Sequence, residues 1–281
     1  MSEIQFRKKR EAGDIFGDSF LFLKQEIKPL SKLFALYVLP FVLIYAVLQV
    51  YMQKEIMSRI DVSDPEMIMA NLKPIYLNLL TASLFGLFVN ALLAGTLYTY
   101  IDFYIKKGKG NFEIHEITGV LFSNSLMTLS AIFLLFAITA FGITIFIIPG
   151  IYFANTLSLS LFIVIFEKKG MGNAFLRSWY LVNKQWWNTF LINFSGLLII
   201  WITGLFFLIP TMIADFAASL TGAQQSGAVE YSQWYWLAKG VSVTVSTVFS
   251  VIIYTFIAFQ YFNIDEITKP VKPQIQDLSE E

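Results

Sequence analysis

Residues Ile117–Phe166 read ITGVLFSNSLMTLSAIFLLFAITAFGITIFIIPGIYFANTLSLSLFIVIF, fifty positions without one charged side chain. An α-helix rises about 1.5 Å per residue, so about 20 apolar residues cross a hydrocarbon core of roughly 30 Å. Fifty are too many for one crossing and suit two. The single proline of the stretch falls at Ile148-Pro149-Gly150. Proline interrupts helical hydrogen bonding and glycine permits a tight turn, so a helical hairpin turning at Pro149-Gly150 is expected.

The same reading applied outward gives six spans: Leu33–Met52, Ile75–Ile101, Gly119–Ile148, Ile151–Phe166, Trp186–Ile209 and Gly240–Phe262. Barrel strands alternate apolar and polar residues over about ten positions, whereas these runs are continuous. With 56% apolar and 17% aromatic residues the chain falls in the membrane class. The expected fold is therefore an all-α integral membrane protein of six transmembrane helices paired as three hairpins. The expected divisions are a cytoplasmic N-terminus (1–32), the transmembrane domain (33–263) and a disordered cytoplasmic tail (264–281).

Of the twenty Lys and Arg residues, 16 fall in the segments on one side of these spans and 4 on the other. The positive-inside rule then places both termini in the cytoplasm. The basic run Arg7-Lys8-Lys9-Arg10 precedes an apolar run that begins only near Leu33, too late and too long for a cleaved signal. Trp179, Trp186 and Trp187 fall on the inner side, Tyr231, Trp234 and Trp236 on the outer, where amphipathic rings anchor at headgroup depth.

Chemistry is constrained by what the composition withholds. There is no cysteine and His115 is the one histidine, so a thiolate nucleophile, a Cys-ligated metal or a multi-histidine site has no residues to build from. No cofactor or metal is expected. A net charge of zero argues against nucleic acid as a partner.

A weak repeat runs through the chain. Gly17-Asp18-Ser19-Phe20 precedes the first span as Gly172-Asn173-Ala174-Phe175 precedes the fifth. Apolar residues recur at helical spacing in both places: Ile15, Phe16, Phe20, Leu23 and Ile27, then Met171, Phe175, Trp179, Val182 and Trp186. Each predicts an amphipathic helix lying in the inner headgroup layer, with Ile114, Ile117 and Leu121 as a fainter third copy. The connection Thr211–Lys239 reads as a polar loop, Gly/Ala-rich around residues 221–227.

The segment Ile148–Trp187 is the most signature-like: Ile-Pro-Gly-Ile-Tyr, a short span, Glu167, Gly170, then Ala174-Phe175-Leu176-Arg177-Ser178-Trp179 and a tryptophan pair. It resembles the six-helix membrane domain attached to some glycerophosphoryl diester phosphodiesterases, and a related group of uncharacterised bacterial inner-membrane proteins. The resemblance implies a fold and a bacterial inner-membrane location, because phosphodiesterase chemistry there belongs to a soluble domain that has no counterpart in this sequence.

Candidate positions follow. Glu167, flanked by Lys168 and Lys169, is read as an interfacial carboxylate that either reaches water or pairs with Arg177. Asp102 is read likewise, beside Lys106. Ala82, Gly86, Asn90 and Ala94 form a small-residue face suited to close helix packing. Asn124, Asn155, Thr156, Ser158, Ser160 and Asn193 either line a polar cavity or satisfy one another between helices. Pro40 predicts a kink, and His115 a solvated side chain. Together these point to a non-catalytic module: a scaffold or accessory subunit of envelope or lipid-related machinery, contacting the bilayer and either a membrane-protein partner or a second copy of itself. The alternative is a channel or carrier for a small neutral or lipid-like molecule.

Overall fold

The computed structural model describes residues 3–59, 65–220 and 231–269, and all of its regular structure among them is helical. In chain order the helices are α1 (Ala12–Gln25), α2 (Ile27–Tyr37), α3 (Leu39–Arg59), α4 (Pro65–Ala70), α5 (Leu72–Lys107), α6 (Ile114–Ile145), α7 (Ile147–Leu157), α8 (Ser160–Phe166), α9 (Met171–Asn183), α10 (Trp186–Leu220) and α11 (Gln233–Thr268). Five elements are long and apolar enough to cross a membrane: α5, α6, α7 with α8, α10 and α11. A sixth is formed if the bent pair α2–α3 counts as one span. Five or six helices of this length and composition are what a multi-pass helical membrane protein requires.

The first span is broken. α2 and α3 meet at 57° around Val38, two residues before Pro40, whose missing N–H and ring forbid the continuous helical ladder. The second, fifth and sixth spans overshoot their expected limits because helical hydrogen bonding continues beyond the apolar run into polar ends. The tract Thr211–Lys239 is accordingly no free loop: α10 runs to Leu220 and α11 starts at Gln233, while residues 221–230 lie outside the described set. Similarly, α11 continues to Thr268, so the expected tail boundary at 264 falls inside a helix, and residues 270–281 lie outside the described set.

The hairpin between α6 and α7 turns at Phe146, not at Pro149-Gly150. Phe146 is extended (φ −156°, ψ 149°) and serves as N-cap of α7. Pro149 sits in the first turn of α7, where its absent N–H would have had no intrahelical partner anyway. Gly150 has no positive φ. Its role is proximity: a Cβ there would lie 2.3 Å from Ile143 Cγ1 and 2.8 Å from the Ile143 nitrogen, and a Cβ on Gly142 would lie 2.9 Å from Gly150 Cα. Two glycines let the arms of the hairpin touch backbone to backbone.

α11 and α5 form the centre, each packed on the other, on α3 and on α8; α10 packs along α11 and α6 along α5. One fully buried aromatic cluster joins them near the C-terminal end of α11, where Phe162, Phe259, Phe262, Tyr98 and Tyr104 are all inaccessible or nearly so. The N-terminal segment is part of it. Phe6 is buried and stacks on Phe259 with centroids 4.6 Å apart, edge-on to Phe22, Tyr104 and Phe262.

The amphipathic stretches form helices α1 and α9, and only part of each expected stripe, Ile15 in one and Val182 in the other, is buried against the bundle. α1 buries Ile15, Ser19 and Phe22 against the bundle and leaves Phe20 exposed, as is Ile27 at the start of α2. α9 buries Ala174, Ser178, Leu181 and Val182, and turns Leu176, Trp179 and Tyr180 outward. Small side chains win the buried face because α9 folds back closely along α8 and α7. The third copy is no separate helix: Ile114, Ile117 and Leu121 form the first turns of α6.

Candidate functional site

The polar chemistry of the bundle concentrates at the end where α8 and α11 finish. Glu167, the C-cap of α8, accepts hydrogen bonds at Oε1 from the Tyr261 hydroxyl (2.7 Å) and Arg177 Nε (3.2 Å), and pairs through Oε2 with Lys169 Nζ (2.5 Å). Arg177 reaches on to Asp265 Oδ1 at 2.6 Å, and Asp265 Oδ2 accepts from Arg7 at 3.4 Å. One chain of alternating charges therefore ties α8, α9, α11 and the N-terminal segment together. Burial alone would raise the Glu167 carboxyl, but the hydrogen bonds from Lys169, Tyr261 and Arg177 outweigh it and hold it below the ordinary glutamate range.

A second anchor lies beside it. The side chain of Arg10 is 1% exposed, its Nε donating to Asp18 at 2.7 Å and its other nitrogens to the carbonyls of Phe6, Lys8 and Gln5. The guanidinium also lies over the Phe259 ring, 4.9 Å from its centroid. Its backbone N–H donates to Asn263 Oδ1 at 2.7 Å, Asn263 donates to Gln260, and Gln260 to Thr189, carrying the connection into α10. A third anchor is Glu26, buried between the Tyr100 hydroxyl at 2.6 Å and Lys109 at 2.9 Å.

The asparagines within the spans and their neighbours are satisfied by one another and by backbone carbonyls, whereas Thr96, Tyr98, Ser125 and Thr139 keep buried hydroxyls without a partner among the described residues. Asn155 donates to the Trp186 carbonyl (3.1 Å) and accepts from Asn193 (2.9 Å), which also donates to Ser158 (3.0 Å). Thr156 accepts from Trp186 Nε1, and Ser178 donates to the Thr156 carbonyl. Asn90 donates to the Gly86 carbonyl and accepts from Tyr254, locking α5 to α11. Gly86 itself allows Tyr45 of α3 to approach, as the small-residue face led us to expect. Asn124 donates to Thr99.

Of the expected site residues, the structure joins Glu167 with Arg177, and Asn155 with Trp186 at the foot of α10. Trp179 sits edge-on to Tyr152 at 5.6 Å, and Tyr152 stacks on Trp186 at 5.7 Å. Asn90 lies apart from this group, and Pro149 and Gly150 serve the α6–α7 contact. Asp102 pairs with Lys106 at 2.7 Å and His115 is exposed beside Glu113. Arg7, Arg10, Glu26, Tyr261 and Asp265 were missed. Sequence reading treated the two arginines as topological charges only. Asp265 carried a usable signal, an acid closing the sixth span as Glu167 closes the fourth.

Among the openings formed by the described residues are two that mark the surface. A wide hollow of about 870 Å³ is lined by Tyr37, Phe112, His115 and Thr118, and a groove of about 430 Å³ lies between α3, α10 and α11. Neither is lined by Asn90, Asn155 or Asn193. Comparison with known protein families, with curated proteins and with solved structures finds no match.

Proposed function

We propose that this chain is a non-catalytic membrane module, a scaffold or accessory subunit of envelope or lipid-related machinery. It would sit in a bacterial inner membrane with three helical hairpins and both termini cytoplasmic. The observation that carries this reading is the mutual satisfaction of Asn90, Asn155, Thr156, Ser158 and Asn193 inside the bundle. A pathway for a hydrophilic solute needs such groups turned toward water; here they join helices. The resemblance carried by Ile148–Trp187 supports the same reading. So does α10, whose Phe194, Trp201, Phe206, Ile213 and Phe216 stand exposed as a surface for lipid, a membrane partner or a second copy. The basic partition supports the orientation, with the Glu167–Asp265 charge chain then at the cytoplasmic face.

Glu167→Gln separates this reading from a proton-coupled carrier. The amide keeps an acceptor for Tyr261 and Arg177 but loses the pair with Lys169 at a largely buried position, so the loss at neutral pH should be about 1.5 to 3 kcal/mol. An unfolded glutamate titrates near about 4.3. With the folded carboxyl lower, its contribution to stability is complete above pH of about 5 and is lost as pH falls through the lowered value. Melting of the detergent-solubilised protein should therefore fall less steeply with acid for Glu167→Gln than for wild type. The variant should also complement whatever phenotype deletion of the gene produces. A stable variant that fails to complement would show that the titrating carboxylate works, and would transfer the assignment to a carrier.

A further inference from the structure

The groove between α3, α10 and α11 lies far from the charge chain just described. Its floor is Ser242 and Ser246 of α11, roughly 30 Å of helix from Asp265 at 1.5 Å per residue. It is therefore at the opposite membrane face. Its walls are largely apolar, with Ile200, Trp201 and Leu205 on α10 and Val50 and Val243 opposite. Small groups keep it open. A Cβ on Gly204 would meet only Ser246 Cβ at 3.7 Å, and one on Gly240 only Val50 at 3.6 Å.

The hydrogen-bonding state of the lining determines what it can recognise. Ser242 donates to the Gly204 carbonyl at 3.1 Å, Ser246 to the Ser242 carbonyl at 2.5 Å, and Gln49 to the Tyr45 hydroxyl at 2.8 Å, so the deep polar groups are committed to the helices. At the mouth stand Gln53 and Lys239. Lys239 is the one charged side chain among the described residues of the lining, and its ammonium lies over the Tyr235 ring at 5.3 Å. It is also the only Lys or Arg between the fifth and sixth spans. A cation and an amide beside an apolar trough complement a molecule with an anionic head and a hydrocarbon tail.

We infer that this groove is a binding site for one anionic phospholipid, with its phosphate at Lys239 and Gln53 and an acyl chain along Ile200, Trp201 and Val243. The site stands apart from the scaffold reading, since a scaffold or a carrier could hold such a lipid.

The test is titration of the delipidated, detergent-solubilised protein with phosphatidylglycerol or phosphatidylcholine, read by native mass spectrometry as lipid retained per chain. One phosphatidylglycerol should be held more tightly than any phosphatidylcholine. Lys239→Gln should weaken phosphatidylglycerol at least about fivefold, the factor that corresponds to about 1 kcal/mol of attraction per basic residue, and should leave phosphatidylcholine unchanged. Ser246→Leu, which fills the floor, should weaken both lipids. Melting of the lipid-free variants checks that each remains folded, and Lys184→Gln, at the other face, supplies a control for non-specific charge. Equal retention of the two lipids, equal loss in Lys184→Gln, or a Lys239→Gln protein that holds phosphatidylglycerol as wild type does would each overturn the site.

Discussion

Replacing Arg10 with alanine is expected to destabilise the folded protein by about 3 to 5 kcal/mol, the usual consequence of deleting one partner from a buried charged network. The guanidinium is almost inaccessible and serves Asp18 and three backbone carbonyls at once. Its removal strands acceptors that no neighbouring side chain replaces and takes away the contact over Phe259. The loss should spread to Ile4 and Phe6, whose burial depends on the segment staying docked. Denaturation in detergent micelles measures the energy, and limited proteolysis within residues 3–10 measures the undocking. Arg10→Lys should recover part of the stability, because an ammonium still meets Asp18 but cannot span the carbonyls. A change under about 0.5 kcal/mol in Arg10→Ala, the range of ordinary surface substitutions, would show that the segment is not an anchored part of the core.

Gly150→Ala distinguishes two roles of a glycine that make opposite predictions. If Gly150 merely occupied a helical position beside a turn, alanine would stabilise the helix by roughly 0.5 to 1 kcal/mol. The structure instead puts the new methyl 2.3 Å from Ile143 Cγ1 and 2.8 Å from the Ile143 nitrogen. The side chain could rotate away, but the backbone atom could yield only by separating α6 from α7. Overpacking of this kind costs about 1 to 3 kcal/mol, so the melting temperature should fall. Gly142→Ala, pressing on Gly150 from the other arm, should behave alike. A stabilised Gly150→Ala protein would restore the turn reading.

Sequence alone carried the helical membrane class because it rests on long uncharged runs, a signal that needs no partner to be read. The kink at Pro40 and the pairing of Glu167 with Arg177 were legible for a related reason: covalent geometry fixes the first, and nearness in the chain favours the second. The turn at Phe146 was not legible. An extended phenylalanine has no sequence mark, while Pro149 and Gly150 have a strong one that here serves helix initiation and close contact. The face of α9 that packs on the bundle was not legible, because proximity to α7 and α8 selects the small Ala174 and Ser178, which carry no hydrophobic signal. Arg10 and Asp265 meet partners 8 and 88 residues away, and only the second of these distances is beyond sequence pattern. Arg10 was overlooked because a basic N-terminus already had a sufficient topological explanation.

The central claim is that polar groups within the bundle hold helices together and face no aqueous path. Ser158→Cys tests it most directly, since the chain has no native cysteine, the replacement is nearly isosteric, and Ser158 is buried against Asn155 and Asn193. Oriented membrane vesicles would be exposed to a small charged thiol reagent, with Lys169→Cys and Ser232→Cys, both exposed positions, marking the two faces. The account predicts labelling of Lys169→Cys from the cytoplasmic side, of Ser232→Cys from the opposite side, and of Ser158→Cys from neither. Reaction at Ser158→Cys at a rate comparable to either surface position would contradict it and place water among the asparagines.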